Sequence, residues 1–412
     1  MFSFVSTNIL ILSLVSLFTD MASEMLFPVT PIFLASLGYG AFFIGFLEGF
    51  AELTAGLSKG YFGELSDRLE NRKSFVQLGY GLSAISKPIL GLIDTSLRGL
   101  FYVSPLIFLA RFSDRLGKGI RSNARDAWLA DESTAQTRGA VFGFHRALDT
   151  VGGVLGPLIA LTFLKFYPGN YRQLFLIAFI PGLVAVGITY LAKEKPHSKI
   201  RGDKPLLKSN GMGFFKFLSY WERAPRSFKR VCALLCVFAF INSSDALLLL
   251  LAKTRIGSDE GVILGYIFYN LVYVILALPL GHLADRIGMS KTLSFGLVFF
   301  GATYALLTQI SSLPQLFGVF FLYAIYAAST ESISKAWLTK LVASQDKATA
   351  LGLFTAFQSI GIMLASSWTG FVWLKTSPTL PFLISAGVAI LVGIALLLHG
   401  EGENTEISSL KV

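Results

Sequence analysis

The chain has 412 residues, of which 53% are hydrophobic and 15% charged, with a formal net charge of +10 and a mean hydropathy of +0.63. Soluble domains carry about 25% charged residues, so this composition excludes a water-soluble globular protein. Apolar runs of membrane-spanning length recur along the chain, and continuous runs select helices over the alternating strands of a barrel.

Twelve spans are expected, at 7–35, 41–62, 73–95, 103–130, 138–165, 172–192, 229–252, 260–284, 290–310, 314–341, 347–373 and 379–399. They divide the chain into a first bundle (1–193), a basic linker (194–228), a second bundle (229–400) and a tail (401–412). The first apolar run lacks a positive leader flank and continues past Pro28 and Pro31, so no cleavable signal is expected. It carries Asp20 and Glu24, four apart and therefore on one helix face. Glu48 and Glu52 repeat that spacing on span two. Ionisable groups at membrane depth are costly, which makes each a functional candidate.

Between spans two and three the chain reads GELSDRLENRK (63–73), and between eight and nine GHLADRIGMSK (281–291). Gly63, Leu65, Asp67, Arg68 and Lys73 match Gly281, Leu283, Asp285, Arg286 and Lys291; Ser290 stands where the first copy has Arg72. Ala127-Trp128-Leu129 likewise matches Ala336-Trp337-Leu338, and Gly143 matches Gly352. Two ordered matches half a chain apart indicate an internal duplication.

Span four holds Arg111, Arg115, Lys118, Arg121 and Arg125 within an arc of about 120°. Three roles are open for this stripe. It pairs with Asp114, Asp126, Asp149, Glu48 and Glu52 to fix packing; Arg111 and Arg115 bind an anionic substrate group; or the Arg121–Arg125 end snorkels to headgroups. Span five adds His145, Arg146 and Asp149 among Gly143, Gly152, Gly156 and Pro157.

From Lys193 to Arg230 there are eleven basic and three acidic residues. This loop faces anionic headgroups more plausibly than nucleic acid, and Phe214, Phe215, Phe217, Leu218, Tyr220 and Trp221 around Lys216 suit a short interfacial helix. Its charge also sets the orientation, with both termini cytoplasmic and the chain in an inner membrane. Cys232 and Cys236, the only cysteines, are expected to pack. The second half is plainer in charge. It offers Asp245 among Asn242, Ser243 and Ser244, then Asn270, Glu331 with Lys335, and Gln358.

The repeated G-x-L-[SA]-D-R-x-x-x-[RS]-K segment resembles motif A of the major facilitator superfamily, and the likeness covers nearly the whole chain. It implies an all-α membrane protein of twelve transmembrane helices in two pseudo-symmetric six-helix bundles. By that resemblance, Gly63, Asp67, Arg68, Arg72, Gly281, Asp285 and Arg286 form a conformational latch, with Asp67 near the start of span eleven and Asp285 near that of span five. Gly143, Gly152, Gly156 and Pro157 are similar to motif C of drug:proton antiporters, with Ala160 in place of the last Gly. Thr19-Asp20 with Pro28 and Pro31 is similar to their first-helix motif, and Arg115-x-x-x-Gly119 to motif B.

The expectation is a secondary transporter, not an enzyme, with no metal and no cofactor beyond the proton gradient that drives it. There is no phosphate-binding loop, and the four histidines are scattered. Asp20, Glu24, Arg115 and His145 are assigned to proton coupling. Glu48, Glu52, Arg111, Asp149, Asp245 and Glu331 are assigned to the substrate cavity. The leading function is proton-coupled export of a small organic compound by a monomer contacting membrane lipid and no nucleic acid. Uptake or exchange of an organic anion and a non-transporting membrane sensor are the alternatives.

Overall fold

The computed structural model describes residues 5–69, 71–93, 102–134, 137–194, 220–343 and 346–409. Its described elements are helices: α1 (Thr7–Leu26), α2 (Val29–Ser36), α3 (Ala41–Arg68), α4 (Arg72–Gly91), α5 (Val103–Asp131), α6 (Arg138–Phe166), α7 (Tyr171–Thr189), α8 (Tyr220–Arg223), α9 (Arg226–Ala239), α10 (Asp245–Ile256), α11 (Asp259–Ile287), α12 (Met289–Leu307), α13 (Leu313–Lys340), α14 (Lys347–Lys375) and α15 (Leu380–Ser409). The pair α1–α2 makes one span and α9–α10 another, giving twelve spans among the described residues. Nine of them are long and apolar enough to be read from hydropathy. The other three are α4, the charge-rich α5 and the interrupted α9–α10.

Local chemistry explains the breaks. Pro28 has no N–H to continue α1, and the chain resumes as α2 after Phe27. In span seven the run Asn242-Ser243-Ser244 favours capping over helix interior. Ser244 Oγ accepts from the backbone N–H of Ala246 at 3.4 Å and starts α10. Gly257 closes α10 at φ 73°, a left-handed turn that favours glycine.

The sequence boundaries shift in four places. Span two runs on to Arg68 and span eight to Ile287, so both motif A copies begin inside helices and not in loops. Span seven is two helices where one was expected. The backbone of α15 stays helical to Ser409, through most of the expected tail. Of the expected interfacial helix, residues 214–219 lie outside the described residues. Tyr220 and Trp221 begin α8, where Tyr220 is buried against Phe228 and Trp221 packs edge-on to Phe357.

Within the first bundle α1 packs on α6 and α7, and α4 on α5 and α7; in the second, α12 packs on α13 and α15, and α11 on α13. The bundles meet where α3 packs on α14 and α6 on α11. An even number of spans puts both chain ends on one side, called here the terminal face. Away from it the bundles are closed. Gly49 of α3 sits so near Met363 of α14 that a Cβ would lie 2.8 Å from its Cα. Farther out, Phe42 meets Phe371 edge-on at 6.3 Å, and Tyr171 donates a hydrogen bond to Asp259.

Candidate functional site

Between the bundles lies a cavity of about 500 Å³. Its first-bundle wall includes Glu24, Glu52, Lys59, Arg115, Lys118 and Arg146; its second-bundle wall includes Asn242, Asp245, Asn270, Glu331, Lys335 and Gln358. Lys118, Arg146, Glu331 and Lys335 are exposed although they sit on central helices, so the cavity is wetted from the terminal face.

One wall is aromatic. Tyr266, Tyr269 and Tyr273 of α11 recur at three and four residues, and Tyr323 and Tyr326 of α13 at three, so each set lines one helix face. Tyr269 lies 5.1 Å from Tyr323, and Tyr323 lies 5.3 Å from Tyr326, between ring centroids. The hydroxyls are matched to acids: Tyr266 donates to Glu24 at 2.6 Å, Tyr273 to Glu331 at 3.2 Å and Tyr323 to Asp245 at 2.5 Å. No role was assigned to these tyrosines from the sequence, although their helical spacing was present in it.

Several expected cavity residues lie elsewhere. Arg111 is ion-paired with Glu48, and both are buried inside the first bundle, off the cavity wall. Arg115, expected as a proton-transfer residue, does line the cavity, bridging Glu52 at 3.2 Å and Glu48 at 4.0 Å. Lys87 of α4, which the sequence reading passed over, is 4% exposed and faces Asp114 at 3.5 Å. Arg121 does not snorkel. It is buried, 4.7 Å from the Tyr80 ring centroid, and donates to Ser83 at 2.7 Å. Arg125 pairs with Asp126 at 2.8 Å. The structural-pair reading therefore accounts for Arg111 and Arg125, because a buried cation without a partner is too costly to keep, while Arg121 is held by Ser83 and the Tyr80 ring.

Asp149 is also off the cavity wall. It faces α1, where Ser16 donates to it at 2.5 Å, and on its other side Arg146 donates at 2.9 Å. Asp20 lies one turn on from Ser16 on the same face of α1, close enough to interact with Asp149. Asp20 and Asp149, placed in separate roles from the sequence, thus form one carboxyl pair between α1 and α6. Gly152 and Gly156 make this pairing geometrically possible, because a side chain at either would collide with the carbonyls of Leu17 and Met21. Pro157 is buried beside them, whereas Gly143 has nothing near its Cβ direction. His145 is buried with neither ring nitrogen hydrogen-bonded, away from the cavity wall.

Of the latch residues, the Asp67 side chain lies outside the described residues. Arg72 pairs with Asp131 at the end of α5, and its backbone N–H, like that of Lys73, is capped by Glu194. Arg68 pairs with Glu64 at 2.7 Å. Gly63 abuts Asn123, whereas Gly281 has open space beside it. Asp285 lies 3.8 Å from Lys340 at an exposed edge, and Arg286 is exposed. These partners belong to the same bundle in each case, as expected of a terminal face that stands open.

The sequence profile of the Major Facilitator Superfamily matches residues 12–272 and 231–410. An uncharacterised MFS-type transporter of Methanocaldococcus jannaschii is 31% identical over 398 residues, covering 95% of this chain and 94% of that protein. An uncharacterised protein of Mycobacterium tuberculosis is 28% identical over 201 residues, 48% of this chain and 47% of its own length. Among solved structures, a POT family transporter in complex with 5-aminolevulinic acid aligns with a TM-score of 0.78 at 14% identity, covering 97% of both chains. The nucleoside transporter NupG aligns at 0.72 and 13% identity, covering 95% of this chain and 99% of its own. The structural likenesses speak for the fold, and the profile and the archaeal relative for the family: this multi-pass membrane protein belongs to the major facilitator superfamily of secondary transporters.

Proposed function

We propose that the protein exports a small organic solute from the cytoplasm in exchange for protons. The observation that carries this reading is the Asp20–Asp149 carboxyl pair, set where α1 and α6 touch and one turn from Glu24 of the cavity wall. Two neighbouring carboxyl groups can hold a proton between them, because ionising both side by side is costly. Rocking the bundles wets or dries this seam and so changes how tightly the proton is held. Arg146, which bonds Asp149 and lines the cavity, ties the pair to the cavity contents.

Export is favoured over uptake by the close α1–α6 contact at Gly152 and Gly156, the part of span five that resembles the antiporter motif. The anion-uptake alternative loses Arg111, which is committed to Glu48. In this reading the chain works as a monomer in an inner membrane with both termini cytoplasmic. Residues 1–193 and 229–400 then rock as the two bodies, joined by the basic linker. The open terminal face is then the cytoplasmic one, ready to load substrate.

The test is transport in everted vesicles holding a pH gradient, read with a pH-sensitive dye against a panel of organic solutes. A solute that dissipates the gradient with wild type, and not with Asp20→Asn or Asp149→Asn, is the expected result. Solute flux that moves no protons, or proton movement unchanged in both variants, overturns the proposal.

A further inference from the structure

Three buried cations of the first bundle meet carboxylates: Arg111 with Glu48, Arg115 with Glu52, and Lys87 with Asp114. Apart from Arg115 and Glu52, and Arg146 on Asp149, the cavity charges depart from this pattern. Among the described residues no carboxylate forms an ion pair with Lys59, Lys118 or Lys335, and Asp245 meets no cation, whereas Glu331 has Lys335 and Arg146 near it. Both acids are held by tyrosine hydroxyls. Asp245 and the three lysines thus line one cavity without meeting, and each lacks an ion-paired opposite charge that a ligand supplies.

The two sets also differ in depth. Asp245 opens α10 near the middle of span seven, among tyrosines of α11 and α13. Lys59 and Lys335 lie on the terminal-face portions of α3 and α13, with Lys118 on the middle of α5. The end at Asp245 is therefore acidic and aromatic, and the three lysines run from mid-depth at Lys118 to the mouth at Lys59 and Lys335. An ammonium group is suited to the first, through its attraction to carboxylate and to ring faces. A carboxylate or similar anion is suited to the second.

We infer that the transported solute is amphoteric and ring-bearing, with its amine at Asp245 against the Tyr269, Tyr323 and Tyr326 rings and its anionic group toward Lys59, Lys118 and Lys335. This rests on the reading of the cavity as the transport site, and it names the solute class that site selects. Span seven serves the recognition directly, since its break places Asn242 and Asp245 on the wall where an unbroken helix would have continued. Asn242 donates to Tyr326 at 3.1 Å, and its Oδ1 is buried without a partner, an acceptor left for the amine.

The experiment uses purified full-length protein and a matched indole series: tryptamine, tryptophan and indole-3-propionic acid, with phenethylamine, phenylalanine and 3-phenylpropionic acid as a second ring. Thermal stabilisation is titrated for each. Tryptophan or phenylalanine should stabilise most, with apparent affinity about tenfold or more above either singly charged analogue. Asp245→Asn should lower the amphoteric compound to the level of the acid alone, and Lys118→Gln with Lys335→Gln to that of the amine alone. Folding of each variant is checked by its unliganded melting temperature, and Asp245→Glu should retain the amine preference. Equal stabilisation by a singly charged analogue, no stabilisation by either series, or preferences unchanged in the variants overturns the inference. Binding needs no proton gradient, so its failure and a failure of proton-coupled export are separate results.

Discussion

Tyr266 of the second bundle donates a 2.6 Å hydrogen bond to Glu24 of the first, and its ring stacks on Phe27 at 5.4 Å where α1 breaks. The contact crosses between bundles on the closed side of the cavity, next to the interruption that ends α1. Any rocking that opens this side must break it. Its strength depends on the charge of Glu24, since a bond to an ionised carboxylate is roughly twice as strong as one between neutral groups. The protein thereby carries a clasp between bundles that responds to protonation beside the proposed proton site.

Tyr266→Phe keeps the ring stack and removes the clasp. The variant should favour opening of the closed side by about 1–2 kcal/mol. Modification of cysteines placed on that side, in a background lacking Cys232 and Cys236, should then be several-fold faster than in the parent. An unchanged rate would show that the hydroxyl carries no gating energy.

Glu48→Gln removes the nearer counter-ion of buried Arg111 and leaves it only Asp114 at 3.9 Å. Loss of one member of such a pair costs about 3–5 kcal/mol, so the variant should melt well below wild type in detergent. The double change Glu48→Met with Arg111→Met removes both charges and should recover much of the loss. Recovery separates a structural pair from a substrate-binding one, which no apolar replacement restores.

Gly156→Leu drives a side chain into the Met21 carbonyl across the α1–α6 seam. Small residues permit such close helix approach in membranes, and the variant should yield little folded protein in size-exclusion profiles. Gly143→Ala, with open space beside it, should stay within about 0.5 kcal/mol of wild type. The two substitutions divide a motif that looks uniform in sequence.

Asp20→Asn and Asp149→Asn each remove a member of one carboxyl pair. Their effects on proton release should not add, because residues acting as a unit give a double variant no worse than either single one. Additive losses in vesicle pH assays would mean two separate proton sites.

The duplication, the twelve spans and the helix-packing role of Gly152 and Gly156 were legible because each leaves a periodic or repeated mark in the chain. The placement of charge was less so. Glu48 and Glu52 have identical spacing and the same helix, yet one is buried on Arg111 and the other looks into the cavity. Helical periodicity groups residues on a face but does not say what packs on it. Lys87 was visible as a cation at membrane depth, but its partner Asp114 is on another helix, and such pairings follow only from tertiary contact. Asp20 and Asp149 meet for the same reason. The tyrosine wall had a readable spacing, and its significance appears only when α11 and α13 are seen to share it.

The claim that protonation of the first bundle sets which side is open is tested most directly by distances between spin labels. One pair, at Tyr167 and Leu313, reports the closed side, and the other, at Arg138 and Lys347, reports the terminal face; all four positions are exposed. In liposomes, moving from mildly alkaline to mildly acidic buffer should change the two distance distributions in opposite directions in the wild-type background, and leave them unchanged in Asp20→Asn. Distributions that ignore pH in the wild type, or that shift equally in Asp20→Asn, would contradict the account.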